Sequence, residues 1–254
     1  MFSATIKWSI LRPFMISASP HTPASCAARQ DEAGDLSFRT HLQARSAIPG
    51  LRKGLRTGLR IRVAACQLLE STGPDRLKIH DLCERVGVSQ GTLYLYFADR
   101  DDLLATLLQE FVAFLHKGMA ASTRQSPSPE NSVRLATLSY CRYFEANRGL
   151  MRCLLHHYET FAKARAVVDA WNGVWIETIV RSVRRWQRRT GRAATSPRDL
   201  RRRAYALGGM VDQYLNAIYL YQDPNLAPVA GDIDAVADTL TFIWLRAFDL
   251  VPDR

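Results

Sequence analysis

The spacing of apolar residues along this chain predicts a series of amphipathic helices. One helix face with the spacing i, i+3, i+4, i+7 is formed by Ile79, Leu82, Cys83 and Val86. Gly87 follows directly, and glycine readily adopts the left-handed conformation that ends a helix. Ser89 is a favourable N-cap for a second short helix, in which Leu93 and Phe97 are predicted to face inward. A helix, a glycine-containing corner and a short second helix form the pattern of a helix-turn-helix.

Apolar stripes also predict helices before and after this pair. A preceding helix, ended at residues 71–74, has the stripe Leu59, Val63, Cys66 and Leu69. Asp99 is the predicted N-cap of a longer helix over residues 101–119, with Asp102 at the third helical position. Further helices are predicted over residues 131–147, 150–158, 159–190, 197–222 and 232–249. Strand-like alternation is absent from the sequence, so the predicted fold class is all-α.

The same pattern divides the chain into three parts. Residues 1–49 are interrupted by four prolines and are predicted to be a disordered extension, or the product of a wrongly assigned start codon. Residues 50–104 form the predicted helix-turn-helix domain, and residues 105–254 form a second helical domain. We place the boundary inside the helix over residues 101–119, because nothing in that stretch interrupts it. Such a helix belongs to both domains and can transmit movement between them.

The residues around the two short helices resemble the signature of the TetR (tetracycline repressor) family of transcriptional regulators. The run VGVSQGTLYLYF at residues 86–97 is followed by the charged ADRDDLL at residues 98–104. The resemblance spans about residues 55–110. It implies an N-terminal three-helix helix-turn-helix DNA-binding domain and a C-terminal helical domain for effector binding and dimerisation.

A double-stranded DNA partner agrees with the charge of the chain, which is +10 from 34 Lys and Arg against 24 Asp and Glu. The predicted DNA-binding residues are Lys53, Arg56, Lys78, His80, Ser89, Gln90, Gly91, Thr92, Tyr94, Leu95, Tyr96 and Arg100. The resemblance implies base contacts at Gln90 and Tyr94. It implies phosphate contacts at Thr92, Tyr96 and Arg100. The alternative for Gln90 and Tyr94 is simple exposure to solvent.

The positive charge is unevenly placed around the second short helix. Residues 50–62 contain five basic residues and no acid, and they are predicted to be a flexible arm on the DNA backbone or in a minor groove. A solvated helix start is the alternative. The second short helix itself contains no lysine or arginine, and three aspartates lie nearby in residues 99–102. Because carboxylates repel phosphate, affinity must come from the arm and from Lys78, His80 and Arg100.

The last two predicted helices carry an apolar surface that suits a homodimer interface. Its predicted residues are Tyr205, Gly208, Val211, Leu215, Ile218, Leu240, Trp244 and Phe248. Gly208 and Gly209 inside a helix would cost roughly 1 kcal/mol each relative to alanine, which a close approach of two helices would explain. The alternative is that these faces line the core of their own domain. The resemblance implies a four-helix-bundle dimer.

Aromatic residues in the middle helices predict a cavity for a small-molecule effector. The candidates are Phe144, His157, Tyr158, Phe161, Trp171 and Trp175. Trp171 and Trp175 lie one turn apart and share a helix face. Such a stripe also suits a hydrophobic core, which remains the alternative. The resemblance implies that the effector releases DNA through movement of the helix predicted over residues 101–119.

Other chemistry is sparse in the sequence. Residues 181–203 are rich in arginine and are predicted to be solvated helix ends. The alternatives are an acidic ligand, such as an acyl-CoA or a nucleotide, and a second stretch of DNA. The five cysteines show no C-x-x-C spacing, which is typical of reduced thiols in a cytoplasmic protein. No metal-ligand spacing, phosphate-binding loop or catalytic motif occurs, so we expect no metal, no cofactor and no enzymatic activity. The apolar run at residues 8–16 is interrupted and too short for a membrane span.

Together these observations predict a cytoplasmic, sequence-specific DNA-binding regulator. The predicted protein is a repressor that a small molecule releases from a pseudo-palindromic operator. The alternative is a weakly selective DNA-coating or architectural protein without an effector. The many arginines, and the lack of a basic residue in the second short helix, would suit that alternative.

Overall fold

Helices with polar caps make up the regular structure of the chain. The computed structural model describes residues 36–156 and 161–250, and within these ranges every regular element is an α-helix. In chain order they are α1 (Phe38–Ser46), α2 (Lys53–Ser71), α3 (Ile79–Val86), α4 (Gln90–Tyr94), α5 (Arg100–Ser122), α6 (Pro129–Ala146), α7 (Arg148–His156), α8 (Ala162–Thr190), α9 (Pro197–Tyr219) and α10 (Ile233–Ala247). The all-α fold class is confirmed.

The caps that define the helix-turn-helix are those that the sequence predicts. Gly87 ends α3 in the left-handed conformation at φ 73°. Ser89 begins α4, and its Oγ accepts a hydrogen bond from the Thr92 amide at 3.1 Å. Asp99 begins α5 and accepts from the Asp102 amide at 2.6 Å. Local chemistry at these three residues therefore sets the end of α3 and the starts of α4 and α5.

Buried apolar side chains hold α2, α3, α4 and the start of α5 together. Leu82, Leu93 and Leu103 have no exposed surface, and Phe97 is buried beside them in the same cluster. The Arg60 side chain also crosses from α2 to the end of α3, where its Nη2 donates to the Val86 carbonyl at 2.9 Å. The position of α4 is thus fixed from its buried side, which leaves its other side free.

The structure corrects the prediction for the segment before residue 50. Phe38 and Leu42 of α1 are buried in the main core, so residues 36–49 are part of the fold and not a disordered extension. The buried Asn147 side chain fastens the start of α1, accepting from the Phe38 amide and donating to the Leu36 carbonyl, each at 2.8 Å. The remainder of the segment, residues 1–35, lies outside the described residues.

The predicted flexible arm is largely helical. Helix α2 begins at Lys53, so only residues 50–52 of the predicted arm precede it. Arg62 pairs with Glu110 of α5 and also donates to the Gly58 carbonyl, and Arg60 is engaged with α3. The predicted flexibility was wrong beyond residue 52, because the chain is helical from Lys53 onward. Sequence periodicity does not reveal the partners of Arg60 and Arg62 on α3 and α5.

Helix α5 runs without a break from the helix-turn-helix into the second half of the chain. Its buried residues, which include Leu103, Phe111 and Met119, span its whole length, so no packing gap marks residue 105. The domain boundary therefore stays a prediction.

Helix α7 packs on α2, where a Cβ at Gly149 would lie 2.6 Å from the Glu70 amide nitrogen. The two halves are thus in close contact at α2 and α7 as well as joined through α5.

The C-terminal half surrounds α5 with longer helices. Helix α8 lies along α5 and α9, and α10 lies along α6. Arg134 of α6 bonds Asp234 at 3.1 Å and Asp238 at 2.5 Å, and Arg201 of α9 bonds Glu177 of α8 at 2.5 Å. A second buried cluster joins α8, α9 and residues 248–250. This arrangement leaves a cavity between α5, α6, α8 and α9.

Candidate functional site

One side of α4 is unusually exposed for a helix of this size. Leu95, directly after the helix, is 84% exposed, and Tyr94 is 49% exposed. Gln90 and Gly91 are exposed as well, whereas Thr92 is half-buried. The Ser89 and Thr92 hydroxyls lie 2.9 Å apart, so these two side chains are engaged with each other at the cap. The free face therefore presents an amide, a phenol and an aliphatic side chain.

Tyr96 joins this face to the first turns of α2. A Cβ at Gly58 would lie 3.3 Å from the Tyr96 ring, and one at Gly54 would lie 3.6 Å from its hydroxyl. The Tyr96 hydroxyl is therefore beside the start of α2, where Lys53 and Arg56 are both exposed. Two glycines on α2 thus make room for Tyr96 and bring three predicted phosphate contacts to one region.

The Arg100 side chain contacts two other parts of the chain. Its Nη1 lies 3.4 Å from the Leu77 carbonyl, and its guanidinium sits 4.8 Å from the centre of the Phe161 ring. The phosphate contact at Arg100 stays a prediction, and the half-buried side chain lies between the segment before α3 and the start of α8. Lys78 and His80 remain exposed at the start of α3.

The acidic side chains near α4 are occupied by α8. Lys163 Nζ lies 2.9 Å from Asp99 Oδ2, and Asp101 accepts from the backbone amides of Lys163 and Ala164 at 3.1 and 3.4 Å. The hydrogen bond from Lys163 is the largest of the effects that lower the pKa of Asp99. Two of the three aspartates that would repel phosphate are thus paired with the start of another helix. Sequence reasoning missed this pairing, since the partners lie more than 60 residues apart.

The cavity in the C-terminal half has a volume of about 420 Å³. Its aromatic lining comes from α6, α8, α9, α10 and the residue after α10, and consists of Tyr140, Trp171, Trp175, Trp186, Tyr205, Trp244 and Phe248. The volume lies in the range of pockets that enclose small organic ligands. Aromatic walls and this size make the cavity the candidate small-molecule site.

The predicted effector residues divide between the cavity and the core. Trp171 and Trp175 line the cavity. Phe144 does not, since it is fully buried with its ring 5.9 Å from that of Tyr219. Phe161 is also outside the lining and lies beneath Arg100. The prediction was wrong for Phe144 and Phe161, and His157 and Tyr158 lie outside the described residues.

Two titratable groups in the cavity were missed by sequence reasoning. The His116 ring packs edge-on 4.8 Å from Trp171, and burial lowers its pKa to about 4. Asp212 accepts a hydrogen bond from the Tyr140 hydroxyl at 2.6 Å. Burial raises the pKa of Asp212 to about 6, although the Tyr140 hydrogen bond acts in the opposite direction. A signal was present, since Asp212 is four residues after Gly208 on the helix face that the apolar pattern marks.

The predicted dimer residues mostly belong to the chain's own interior. Leu215, Leu240 and Phe248 are at most 1% exposed, so their assignment to an interface was wrong and the alternative of a domain core was right. Trp244 and Ile218 are half-buried in the same region. The predicted residues that line the cavity are Tyr205, Gly208, Val211, Trp244 and Phe248. Tyr205 is also 57% exposed, as is Phe242 of α10 at 61%.

Three arginines of the arginine-rich segment contact other helices or the chain beyond them. Arg201 bonds Glu177, and Arg203 donates to the Ala247 carbonyl at 2.8 Å. Arg192 lies 4.9 Å over the Trp186 ring and donates to the Asp249 carbonyl. These contacts favour a structural role for these three residues, while Arg184 and Arg188 are exposed.

The remaining candidate chemistry in the described part of the chain concerns its cysteines, its possible metal ligands and its apolar helices. Burial raises the pKa of the thiols of Cys66, Cys141 and Cys153 to about 12, which makes them poor nucleophiles. Within residues 36–156 and 161–250, no three His, Cys, Asp or Glu side chains are grouped to hold a metal ion. In the same ranges, no helix combines the length and the apolar character that crossing a membrane requires.

The fold and the free face of α4 define an all-helical DNA-binding protein of the helix-turn-helix class, and comparison with known proteins specifies it. Residues 61–107 match the family described as bacterial regulatory proteins, tetR family. The HTH-type transcriptional regulator EthR of Mycolicibacterium smegmatis is 24% identical over 192 residues, which cover 74% of this chain and 83% of EthR. The helix-turn-helix segment of the chain therefore matches the tetR family of bacterial regulatory proteins, and most of the chain is similar to a transcriptional regulator.

Solved structures share the fold over most of the chain. GusR of Salmonella enterica has a TM-score of 0.63 at 18% identity and covers 78% of this chain and 98% of its own. FadR of Bacillus subtilis, solved in complex with stearoyl-CoA, has a TM-score of 0.61 at 15% identity. The match covers 74% of this chain and 98% of the FadR chain. At these identities, the likeness concerns the fold alone.

Proposed function

We propose that the protein is a homodimeric repressor that binds a pseudo-palindromic operator through α4 and releases it when a small molecule occupies the cavity. The observation that carries the proposal is the free face of α4. Leu93 and Phe97 anchor the helix from behind, while Leu95 remains 84% exposed. Leu95 and the neighbouring Tyr94, which is 49% exposed, together present apolar surface to solvent, and a DNA groove would cover it.

The side chains on this face suit base recognition. The Gln90 amide can form two hydrogen bonds with adenine in the major groove, and Leu95 can contact a thymine methyl group. Gly91 carries no Cβ, so the backbone can approach the DNA closely. Tyr94 is half-exposed next to them, with its hydroxyl available for a base or sugar. Sequence selectivity would therefore arise from Gln90, Tyr94 and Leu95.

The flanking residues suit phosphate contacts, which supply affinity without selectivity. Lys53, Arg56 and Tyr96 lie on one side of α4, at the start of α2. Lys78 and His80 lie at the start of α3. The pairing of Asp99 and Asp101 with α8 reduces the repulsion that a phosphate would meet.

Two copies are proposed because a single α4 contacts few base pairs. Dimers of this class read half-sites about one DNA turn apart, roughly 34–36 Å. Tyr205 on α9 and Phe242 on α10 are large, exposed and on the helices that the resemblance assigns to dimerisation. We propose that Tyr205, Phe242 and Gly209 form the centre of the interface. Gly209 is exposed and also lines the cavity.

The proposed effector acts through α8. Trp171 and Trp175 of α8 line the cavity, and the first turn of α8 is bonded to Asp101 at the start of α5. A ligand that displaces α8 would therefore also move the start of α5, which follows α4 in the chain. The ligand shifts the equilibrium only by its difference in affinity for the two positions of α8.

Base reading is tested by titrating variants against two duplexes. One duplex is the sequence that the wild-type protein enriches from a random pool, and the other is an unselected duplex of equal length. Gln90→Ala should weaken binding to the enriched duplex by about 1–3 kcal/mol and leave the unselected duplex almost unaffected. The matched control is Gln125→Ala, at an exposed turn position after α5. Equal losses on both duplexes would overturn base reading by Gln90.

A second candidate function is supported by one observation. Residues 89–97 contain no lysine or arginine, which would suit a weakly selective DNA-coating protein without an effector. The same enriched duplex decides between the two functions. A selective regulator should prefer it by about 10³-fold or more over bulk DNA, whereas a coating protein should show little preference.

A further inference from the structure

The cavity contains one acidic group among aromatic walls. The described residues that line it include Asp212 but no lysine or arginine. Among the described residues, Tyr140 is the one hydrogen-bond donor to the Asp212 carboxylate. A carboxylate away from bulk water is costly unless it is paired, and one phenol supplies much less stabilisation than a cation. Within the described part of the chain, the Asp212 carboxylate thus has a phenol but no cation as its partner.

His116 does not supply that counter-charge at neutral pH. Its ring lies against Trp171 and Trp175, with centroids 4.8 and 5.5 Å away, and burial holds its pKa at about 4. A neutral imidazole can donate or accept a hydrogen bond but cannot balance a carboxylate. The ionisable groups on the cavity wall therefore leave it negative near pH 7.

The aromatic walls of the cavity also favour a positively charged ligand. The faces of tryptophan and tyrosine rings carry negative electrostatic potential and attract cations. An anionic head group, whether a carboxylate or a phosphate, would instead meet both these faces and Asp212. The apolar surfaces of Trp171 and Trp175 can still hold a hydrophobic body. The wall chemistry thus combines preference for positive charge with preference for an apolar group.

We propose that the cavity binds an organic amine, with its ammonium group on the Asp212 carboxylate and its apolar body against Trp171 and Trp175. This inference rests on the proposed function of the cavity as the effector site. It specifies the charge and polarity of the effector, which the proposed function leaves open.

Three probes of similar size and different charge test the inference. They are 4-phenylbutylamine, 4-phenylbutan-1-ol and 4-phenylbutyrate, which are cationic, neutral and anionic at pH 7.5. Binding to the full-length protein is measured by titration calorimetry. We expect the amine to bind at least about tenfold more tightly than the alcohol, and the butyrate to bind more weakly than both. Equal affinity for the amine and the alcohol would overturn the proposal.

Two aspartate variants assign the preference to the cavity. Asp212→Asn should remove the preference for the amine over the alcohol while both probes still bind. Asp169→Asn makes the same change at an exposed position of α8 and should retain the preference. Thermal unfolding of both variants establishes that they are folded. A preference that persists in Asp212→Asn would place the amine elsewhere and overturn the proposal.

Release of DNA separates this inference from the proposed function. The three probes are added to the complex with the enriched duplex. If the alcohol or the butyrate releases DNA and the amine does not, the cavity is an effector site but the proposed amine class is wrong. If the amine binds with the expected preference and releases no DNA, the amine site stands and the proposed effector role of the cavity fails.

Discussion

Asp212 shows how a single residue can lower the stability of the fold and still suit a function. The pKa of this carboxyl is about 6, whereas an aspartate in an unfolded chain has a pKa near 3.9. Between these values the folded protein binds more protons than the unfolded chain, so its free energy of unfolding falls as pH rises. The contribution of Asp212 is therefore fully present below about pH 4 and is lost by about pH 7.

Asp212→Asn should remove this pH dependence, because an amide does not ionise. The free energy of unfolding of the variant, relative to the wild type, should rise by roughly 2–3 kcal/mol between pH 4 and pH 7. Urea unfolding at several pH values measures this difference, in which the titration of His116 and other common groups cancels. Asp169→Asn is the control, since its side chain is exposed. A constant difference across the range would show that Asp212 is not perturbed.

Single residues also show where sequence reasoning reaches and where it ends. Gly87, Ser89 and Asp99 act on backbone groups within five residues, so their roles as caps could be predicted from local chemistry. Asn147 binds the start of α1 across 109 residues, which no local pattern indicates. The contact between Arg100 and the Phe161 ring also joins residues 61 positions apart, which local patterns do not indicate.

Among the elements, the start of α8 has an unusual cap. Its N-cap residue is Phe161, which offers no side-chain hydrogen bond, and Asp101 of α5 accepts from the amides of Lys163 and Ala164 instead. A carboxylate at this position also interacts favourably with the helix dipole. The end of α8 that leads to the cavity is therefore fixed to the element that follows α4.

Replacing Asp101, which caps α8 from the start of α5, should loosen the start of α8. Removing an N-cap costs about 0.5–2 kcal/mol, so Asp101→Ala should speed amide exchange at residues 163–166 by roughly 2–30-fold. Lys163→Ala removes only the exposed pair with Asp99 and should have a smaller effect, because solvent screens the attraction between exposed charges. Hydrogen exchange measured by mass spectrometry ranks the variants. If Lys163→Ala loosens the segment as much as Asp101→Ala, the ion pair and not the cap holds α8.

The elements were easier to predict than their packing. The helices α3 to α10 follow apolar stripes and capping residues that are visible in the sequence. Helix α1 was missed because it is short and the core it enters is built by α2, α5 and α6. The stripes on α9 and α10 were real, but a stripe shows that a face is buried and does not show whether it is buried within one chain or between two.

At the scale of the whole molecule, the surface left after folding indicates where two copies could meet. Folding buries Leu215, Leu240 and Phe248, while Tyr205 and Phe242 keep 57% and 61% of their surface exposed. Phe242 also lies 5.5 Å from the Arg246 guanidinium on the outer face of α10. Aromatic residues and arginine are the residue types enriched at the centres of interfaces.

Phe242→Glu should therefore act on assembly and not on folding. A charged residue at the centre of an interface should weaken the dimer by at least about 2 kcal/mol, or roughly thirtyfold in Kd. The expected result is a shift from dimer to monomer in light scattering at micromolar concentration, with little change in thermal unfolding of the monomer. Val229→Glu, at another exposed apolar position, is the control and should stay dimeric. Because tight operator binding needs two α4 helices on one duplex, the monomeric variant should also lose affinity for the enriched duplex. A variant that remains dimeric and binds normally would place the interface elsewhere on the molecule.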